Sequence, residues 1–444
     1  MTVDSKMNRE IIKLASPVMV GMISHTVLNI VDTAMVGRLG DVALGAVGLG
    51  SFFILVTVLV FGALNIGTQA ITARRLGENK IGEFGRIVYN AFFLAIIIGV
   101  AVSLIGYRLS PWIFSLLSDK AEIRAQGVPY LSIRFLGLFS MVVIFTLRGF
   151  VYGLARVRID MIISLVINIL NIIFNYFLIF GHWVFPRLEV RGAAIASVTS
   201  TIIGLVVYLL LVHFHIFKRL PSHHQQRSLS KDIMGQIIRI SAPRAVQSVS
   251  ITGFIIFLSF IGHLGIAELA ISNIIFKAFN FSFMVGLAIG AASATLVGRS
   301  LGEKNDELAV RYGWHSVGIG ALMMGAIGAL FMFFPREIMG VFTKAQATVE
   351  KGVLPFRLLG AFQLIDGIGI VFSRILQGVG STFYVMLSEM ICVWGVMVPF
   401  SYIAVKVLQG DIVLAWWGLF LYIIFFSAAM TWKFHEGGWK RIRI

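Results

Sequence analysis

Charge is scarce in this sequence: Asp, Glu, Lys and Arg make up 13% of its 444 residues, against roughly 25% in ordinary soluble domains. With 58% drawn from AVILMFWYC, that shortage excludes a soluble globular chain, because the apolar surplus exceeds what one core can bury. Cysteine is scarcer still, and the single Cys392 excludes an intramolecular disulfide framework. The polar start from Met1 to Glu10 precedes no short apolar stretch with a small-residue cleavage site, so no removable signal peptide is expected. Phosphate loops, H-E-x-x-H and Cys/His ligand sets are all missing. ATP hydrolysis within this chain and metalloprotease chemistry therefore lack a basis, and neither an enzyme nor a cofactor is expected.

What is there is apolar and long. Hydrocarbon about 30 Å thick needs about 20 apolar residues per helix. Windows of that kind fall near 11–36, 43–73, 87–108, 128–153, 161–181 and 193–217, then 237–262, 267–298, 312–335, 353–378, 385–408 and 413–434. The runs are continuous rather than alternating over about 10 residues, which favours helices over barrel strands. The expected class is an all-α polytopic membrane protein with twelve spans.

Net charge is +16, which in a soluble chain would raise nucleic-acid binding. Here topology accounts for it. With the N-terminus inside, cytoplasmic segments hold 21 Lys and Arg against 10 in the outer loops, so both termini are expected in the cytoplasm, and no nucleic-acid partner is expected. The polar stretch 218–236 reads as a cytoplasmic linker between an N-terminal six-helix lobe, 1–217, and a C-terminal lobe, 237–444. His223 and His224 within it lack further ligands, so a solvated linker outweighs a metal patch.

The halves repeat each other. IIKLASP at Ile11 to Pro17 recurs as IIRISAP at Ile237 to Pro243, GRLGDVAL at Gly37 as GHLGIAEL at Gly262, and RRLGEN at Arg74 as RSLGEK at Arg299. The offset stays at 225 to 226. An even number of spans separates the copies, so they share orientation, as in transporters built from parallel repeats. Within the last copy, Gly298 to Gly302 fits G-x-S-x-G, yet it follows no strand and its counterpart has no serine, which makes it a chance match.

Three acidic residues remain at membrane depth: Asp32, Asp366 and Glu389. An ionisable group there costs about 2.5–3.5 kcal/mol or more and needs a reason. Asp32 lies in the outer half of helix 1, while Asn171 and Asn175 share one face of helix 5 at similar depth. Ser197 and Thr199 lie near the outer end of helix 6. Together they would converge a carboxylate, amide oxygens and hydroxyls, hard oxygen ligands suited to a proton or Na⁺. The bland alternative is that the amides and hydroxyls only bridge helices, which suits Thr199 and Asn168 and is weak for Asp32. Asp366, mid-membrane in helix 10, is either a second ion or substrate site or a carboxylate paired with Arg374, Arg357 or Lys277. Glu389 is expected to snorkel to the cytoplasmic surface. The 17 Met and 37 Phe are too many to select a cavity lining.

Pro17 followed fifteen residues later by Asp32, VDTAMVGRLG at Val31 to Gly40, NIIFNYFLIFG at Asn171 to Gly181 and GAAIAS at Gly192 to Ser197 together resemble the multidrug and toxic compound extrusion (MATE) transporters. The resemblance spans the whole chain. It implies two six-helix bundles that alternate access and export organic cations or other amphipathic toxins against inward H⁺ or Na⁺. It further implies that Asp32 is the coupling carboxylate, that helix 1 can bend at Pro17, and that Asn171 and Ser197 belong to the cation site. Asn175 stands where several relatives carry a second aspartate, a departure that favours H⁺ over Na⁺. The apolar run from Val249 to Ile261 lacks the helix-7 glutamate of the norfloxacin-exporter branch, so the DinF-like branch is implied. A bacterial cytoplasmic membrane, small-molecule partners and a monomer complete these expectations. The rivals are a lipid-linked oligosaccharide flippase, for which Arg134, Arg148 and Lys277 look too scattered, and an intramembrane enzyme or receptor, for which no nucleophile–base pair or extramembrane domain is present.

Overall fold

The computed structural model describes residues 3–219, 228–442 and 444. His223 and His224 lie outside them. Every regular element among the described residues is helical. The order is α1 (Val3–Gly37), α2 (Asp41–Phe61), α3 (Leu64–Gly77), α4 (Phe84–Leu117), α5 (Ala121–Leu136), α6 (Leu138–Gly153), α7 (Arg158–Phe180), α8 (Glu189–His215) and α9 (Lys231–Gln247). There follow α10 (Ser250–Gly262), α11 (Ile266–Gly302), α12 (Asp306–Phe333), α13 (Pro335–Phe342), α14 (Gln346–Gly378), α15 (Thr382–Met390), α16 (Val398–Tyr402) and α17 (Ile412–Glu436).

Eleven spans among the described residues are long and apolar enough to cross a membrane, and α5 with α6, bent by 44°, make the twelfth. Each expected window lies on one of them and overruns its end by no more than two residues. The eleventh span departs from a plain α-helix. Around α16 it widens to π-type turns at Ile391–Met397 and Ile403–Val407, beside Pro399, whose ring cannot donate to the regular ladder.

The chain divides into two compact units. One unit is Pro17–Ala245 and the other is Met1–Ser16 with Val246–Ile444. The cuts fall within α1 and α9, next to Pro17 and near its repeat copy Pro243. In the second unit, Arg311 donates to Asp4 at 3.0 Å and Tyr312 to Glu10 at 2.5 Å. In the first, a Cβ on Gly67 of α3 would meet the Ile237 carbonyl oxygen at 2.6 Å, so only glycine lets α9 approach this closely.

Packing inside each unit depends on such close approaches. In Pro17–Ala245, a Cβ on Gly149 of α6 would lie 2.2 Å from the Asn65 carbonyl oxygen of α3. In the other unit, Gly328 of α12 and Gly360 of α14 face each other's carbonyls in the same way, the small-residue packing used where helices gain no hydrophobic drive from lipid.

The repeat extends to backbone conformation. Gly40 and Gly265, which start α2 and α11, have φ of 105° and 152°, a region L side chains rarely adopt. Asn79 and Lys304, which follow α3 and α11, both have φ of 57°. Ala155 and Gly380 have φ of 56° and 92° and share one hydrogen-bond pattern: Ala155 N–H to Tyr152 and Arg156 N–H to Val151, Gly380 N–H to Gln377 and Ser381 N–H to Leu376.

Candidate functional site

α7 carries three buried asparagines, Asn168, Asn171 and Asn175, at spacings of three and four, so they form one stripe on its inner face. Each is tied to a neighbour. Asn168 Nδ2 donates to Ser24 Oγ of α1 at 2.8 Å. Asn171 Nδ2 reaches Ser197 Oγ at 3.1 Å and Ser200 Oγ at 3.4 Å on α8. Asn175 Nδ2 donates to Asp32 Oδ1 at 2.6 Å and to Asn171 Oδ1 at 2.8 Å. The amides thus link α1, α7 and α8 within the unit Pro17–Ala245.

Of the residues singled out by sequence, Asp32, Asn171, Asn175 and Ser197 lie in one continuous network. Thr199 does not join it. It is offset from Ser197 by two positions, about 200° around a helix, and makes no side-chain hydrogen bond among the described residues. Ser200, three positions from Ser197, takes that place, and sequence reading missed it although the i, i+3 spacing was available. Asn168 acts as a helix bridge. α1 runs unbroken through Pro17.

The network is not fully satisfied. Asn175 Oδ1 is buried without a hydrogen-bond partner among the described residues. An orphaned buried acceptor beside a carboxylate suits a positive guest: with Asp32, Asn171 Oδ1 and the Ser197 and Ser200 hydroxyls it forms an all-oxygen set of the kind that takes H⁺ or Na⁺. On α1, His25, Asn29 and Asp32 follow at i, i+4 and i+7, so they share a face, and Asn29 Nδ2 meets His25 Nδ1 at 3.2 Å. His25 and Asn29 are exposed and Asp32 is half-buried.

The same unit also holds a buried charge pair. Asp160 is 4% exposed, and its Oδ1 lies 2.9 Å from Arg148 Nε while Tyr152 donates to its Oδ2 at 2.8 Å. The Arg148 guanidinium also sits 4.5 Å over the Phe145 ring.

In the other unit, Asp366 is buried and pairs with none of the cations weighed for it. Its Oδ2 has no hydrogen-bond partner among the described residues, and the same is true of Nε2 and Oε1 of Gln363, one turn earlier on α14. Lys277 instead lies over Phe342 at 5.8 Å, and Arg357 is exposed. Glu389 does not simply snorkel: Gln247 Nε2 donates to it, and Gln377 donates to Gln247 at 3.0 Å. Gly298 to Gly302 is the helical end of α11, where Ser300 is buried and donates to the Leu296 carbonyl at 3.0 Å, so it is no nucleophile elbow.

Comparison with known proteins gives a consistent answer. The chain is 28% identical to the probable multidrug resistance protein NorM of Thermotoga maritima, covering 98% of this chain and 94% of that protein. It is 28% identical to the multidrug resistance protein NorM of Burkholderia vietnamiensis, over 95% and 92% of the two chains. These relatives carry the NorM name, although the helix-7 glutamate is missing here. Among solved structures, a MATE protein in the straight conformation superposes with a TM-score of 0.88 at 22% identity, covering 98% and 97% of the chains. A MOP superfamily transporter from Pyrococcus furiosus, described as having a binding pocket of reverse polarity, gives 0.86 at 20%, with the same coverage. The family model described as MatE matches residues 17–177 and 243–403, once in each repeat. The chain belongs to the MatE family.

Proposed function

We propose that this multi-pass chain is a secondary antiporter of a bacterial cytoplasmic membrane that exports amphipathic, predominantly cationic toxic compounds in exchange for inward H⁺ or Na⁺. The observation that carries this reading is Asp32, held by one amide donor at 2.6 Å beside the orphaned Asn175 oxygen. The multidrug resistance names of the relatives support the same direction. Both termini are taken as cytoplasmic from the charge bias, and a monomer suffices because the site is complete within one chain.

An ionised Asp32 accepts from Asn175 Nδ2, and a proton arriving on that oxygen turns it into a donor. The Asn175 amide is then facing the wrong way. Rotating it would offer Oδ1 to the new hydroxyl and withdraw Nδ2 from Asn171, which in turn loosens the hold on Ser197 and Ser200. A Na⁺ ion would act on the same oxygens by coordination instead of proton transfer. Either guest removes the negative charge that attracts a cationic substrate, so ion and substrate favour different states, the requirement for exchange. For a substrate without net charge, one inward charge is worth about 2.3 kcal/mol per 100 mV, about a fifty-fold gradient, whereas one-for-one exchange with a monovalent cation moves no net charge and draws on the ion's concentration gradient alone. Asp366 with Gln363 is a second candidate ion or substrate site, on the strength of their unpartnered polar atoms.

Resistance of pump-deficient cells tests the reading. Wild-type chain should raise the inhibitory concentration of ethidium severalfold, and Asp32→Asn at equal membrane abundance should return it to the empty-vector level. Full resistance conferred by Asp32→Asn would remove this carboxylate from the coupling step.

A further inference from the structure

Within the unit Pro17–Ala245, α4 and α8 both pack against α6 and hardly against each other, which leaves a cleft between them. Its volume is about 260 Å³. Val88 and Phe92 of α4, Leu147 of α6 and Leu209 of α8 line it, and Phe217, just past α8, completes the lining. Phe217 is held there by stacking on the buried Phe150 of α6 at 6.1 Å, and Phe150 in turn meets Phe84 edge-on at 6.3 Å. Drug-sized ligands take pockets of roughly 300–1,000 Å³. A smaller, largely apolar cleft suits one hydrocarbon chain better than a whole transport substrate.

One end of this cleft is polar and positive. Tyr89, in the first two turns of α4, and His213, in the last turn of α8, bring a phenol and an imidazole into the lining itself. Both helix ends lie on the side that the charge bias assigns to the cytoplasm. Lys218, next to Phe217, is exposed, and its ammonium sits 5.7 Å from the Phe214 ring, which meets His213 edge-on at 5.2 Å. Arg86, next to Gly85 of the lining, has a buried Nε without a hydrogen-bond partner among the described residues. The acidic residues of the neighbouring turns are already engaged, Glu83 by Arg75 at 2.8 Å and Asp160 by Arg148 at 2.9 Å. A hydrocarbon slot that ends at uncompensated cations and hydrogen-bond donors matches an apolar tail carrying an anionic head.

We propose that this cleft holds one acidic phospholipid of the cytoplasmic leaflet, with an acyl chain between α4, α6 and α8 and its phosphate on Tyr89, His213 and Lys218. A lipid that merely coats an apolar surface is indifferent to headgroup charge. Donors fixed at the mouth of a cleft make the choice depend on it. The site uses none of the residues of the Asp32 network and does not depend on the antiport reading. Because α4 and α8 touch each other so little, a chain lodged between them adds contacts that the protein alone lacks, and occupancy should protect the fold against heat.

Delipidated full chain in detergent, titrated with phosphatidylglycerol or phosphatidylcholine of identical acyl chains, tests this, with native mass spectrometry counting the bound lipids. The wild type should hold one phosphatidylglycerol about fivefold or more tightly than phosphatidylcholine. Replacing both head contacts, His213→Gln with Lys218→Gln, should bring that ratio below about twofold. Leu209→Trp fills the cleft and leaves the cations in place, so it should lower phosphatidylglycerol occupancy about as much. Added phosphatidylglycerol should also raise the melting midpoint of the wild type and leave that of Leu209→Trp where it was. Equal retention of the two lipids by the wild type overturns the proposal without needing any variant. So does a headgroup preference that survives the double replacement, or phosphatidylglycerol binding that Leu209→Trp leaves unchanged.

Discussion

Asp160 and Asp32 are both carboxylates in the unit Pro17–Ala245, and their surroundings give them opposite tasks. Asp160 has its two oxygens engaged by Arg148 and Tyr152, so it is a closed pair with no capacity for a guest. Asp32 accepts one amide and adjoins an unpartnered oxygen, so it has capacity left. Asp160→Asn would strand a guanidinium, and breaking a buried pair from one side costs about 3–5 kcal/mol. Thermal unfolding of the purified variant should show a lowered midpoint, whereas an unchanged midpoint would mean that the pair is not structural. Asp32 was legible in the sequence because it lies deep within an apolar span. Asp160 was not, because it sits two residues from Arg158 at the start of a span and its burial depends on how α6 and α8 pack against α7. Ser200 was overlooked in favour of Thr199, an error of one position that on a helix turns a side chain by about 100°.

At the level of the helix, the repeated motifs turn out to be punctuation. GRLG and GHLG supply the glycines whose positive φ starts α2 and α11, and RRLGEN and RSLGEK supply the left-handed residue that follows α3 and α11. A third matched turn carries no visible sequence likeness: Ala155 holds the conformation that Gly380 holds 225 residues later. A side chain in that region costs about 1–2 kcal/mol relative to glycine. Ala155→Gly should therefore raise stability by about 0.5–1 kcal/mol after the added unfolded-state entropy is subtracted. Detergent-solubilised protein would register this as a higher melting midpoint, and a lowered one would contradict it. Span positions were legible because lipid thickness fixes the length of an apolar run. The π-type turns of the eleventh span were not, since Pro399 signals only that the ladder must adjust and leaves the form of adjustment to packing.

For the molecule as a whole, the offset of 225 to 226 residues made the two-fold plan readable, and the family match falls once in each half. Composition marks only the polar linker at 218–236. The spatial cuts lie inside two continuous helices, where no change of hydropathy announces them, and only the neighbouring prolines mark the place. The central claim is that Asp32 converts an ion gradient into substrate export. It is tested most directly by ethidium efflux from proteoliposomes, with a pH gradient and a Na⁺ gradient imposed separately on wild type and Asp32→Asn. The account predicts efflux driven by at least one gradient in the wild type and none in the variant. Efflux of equal rate in both proteins, or none under either gradient from correctly folded wild type, would contradict it.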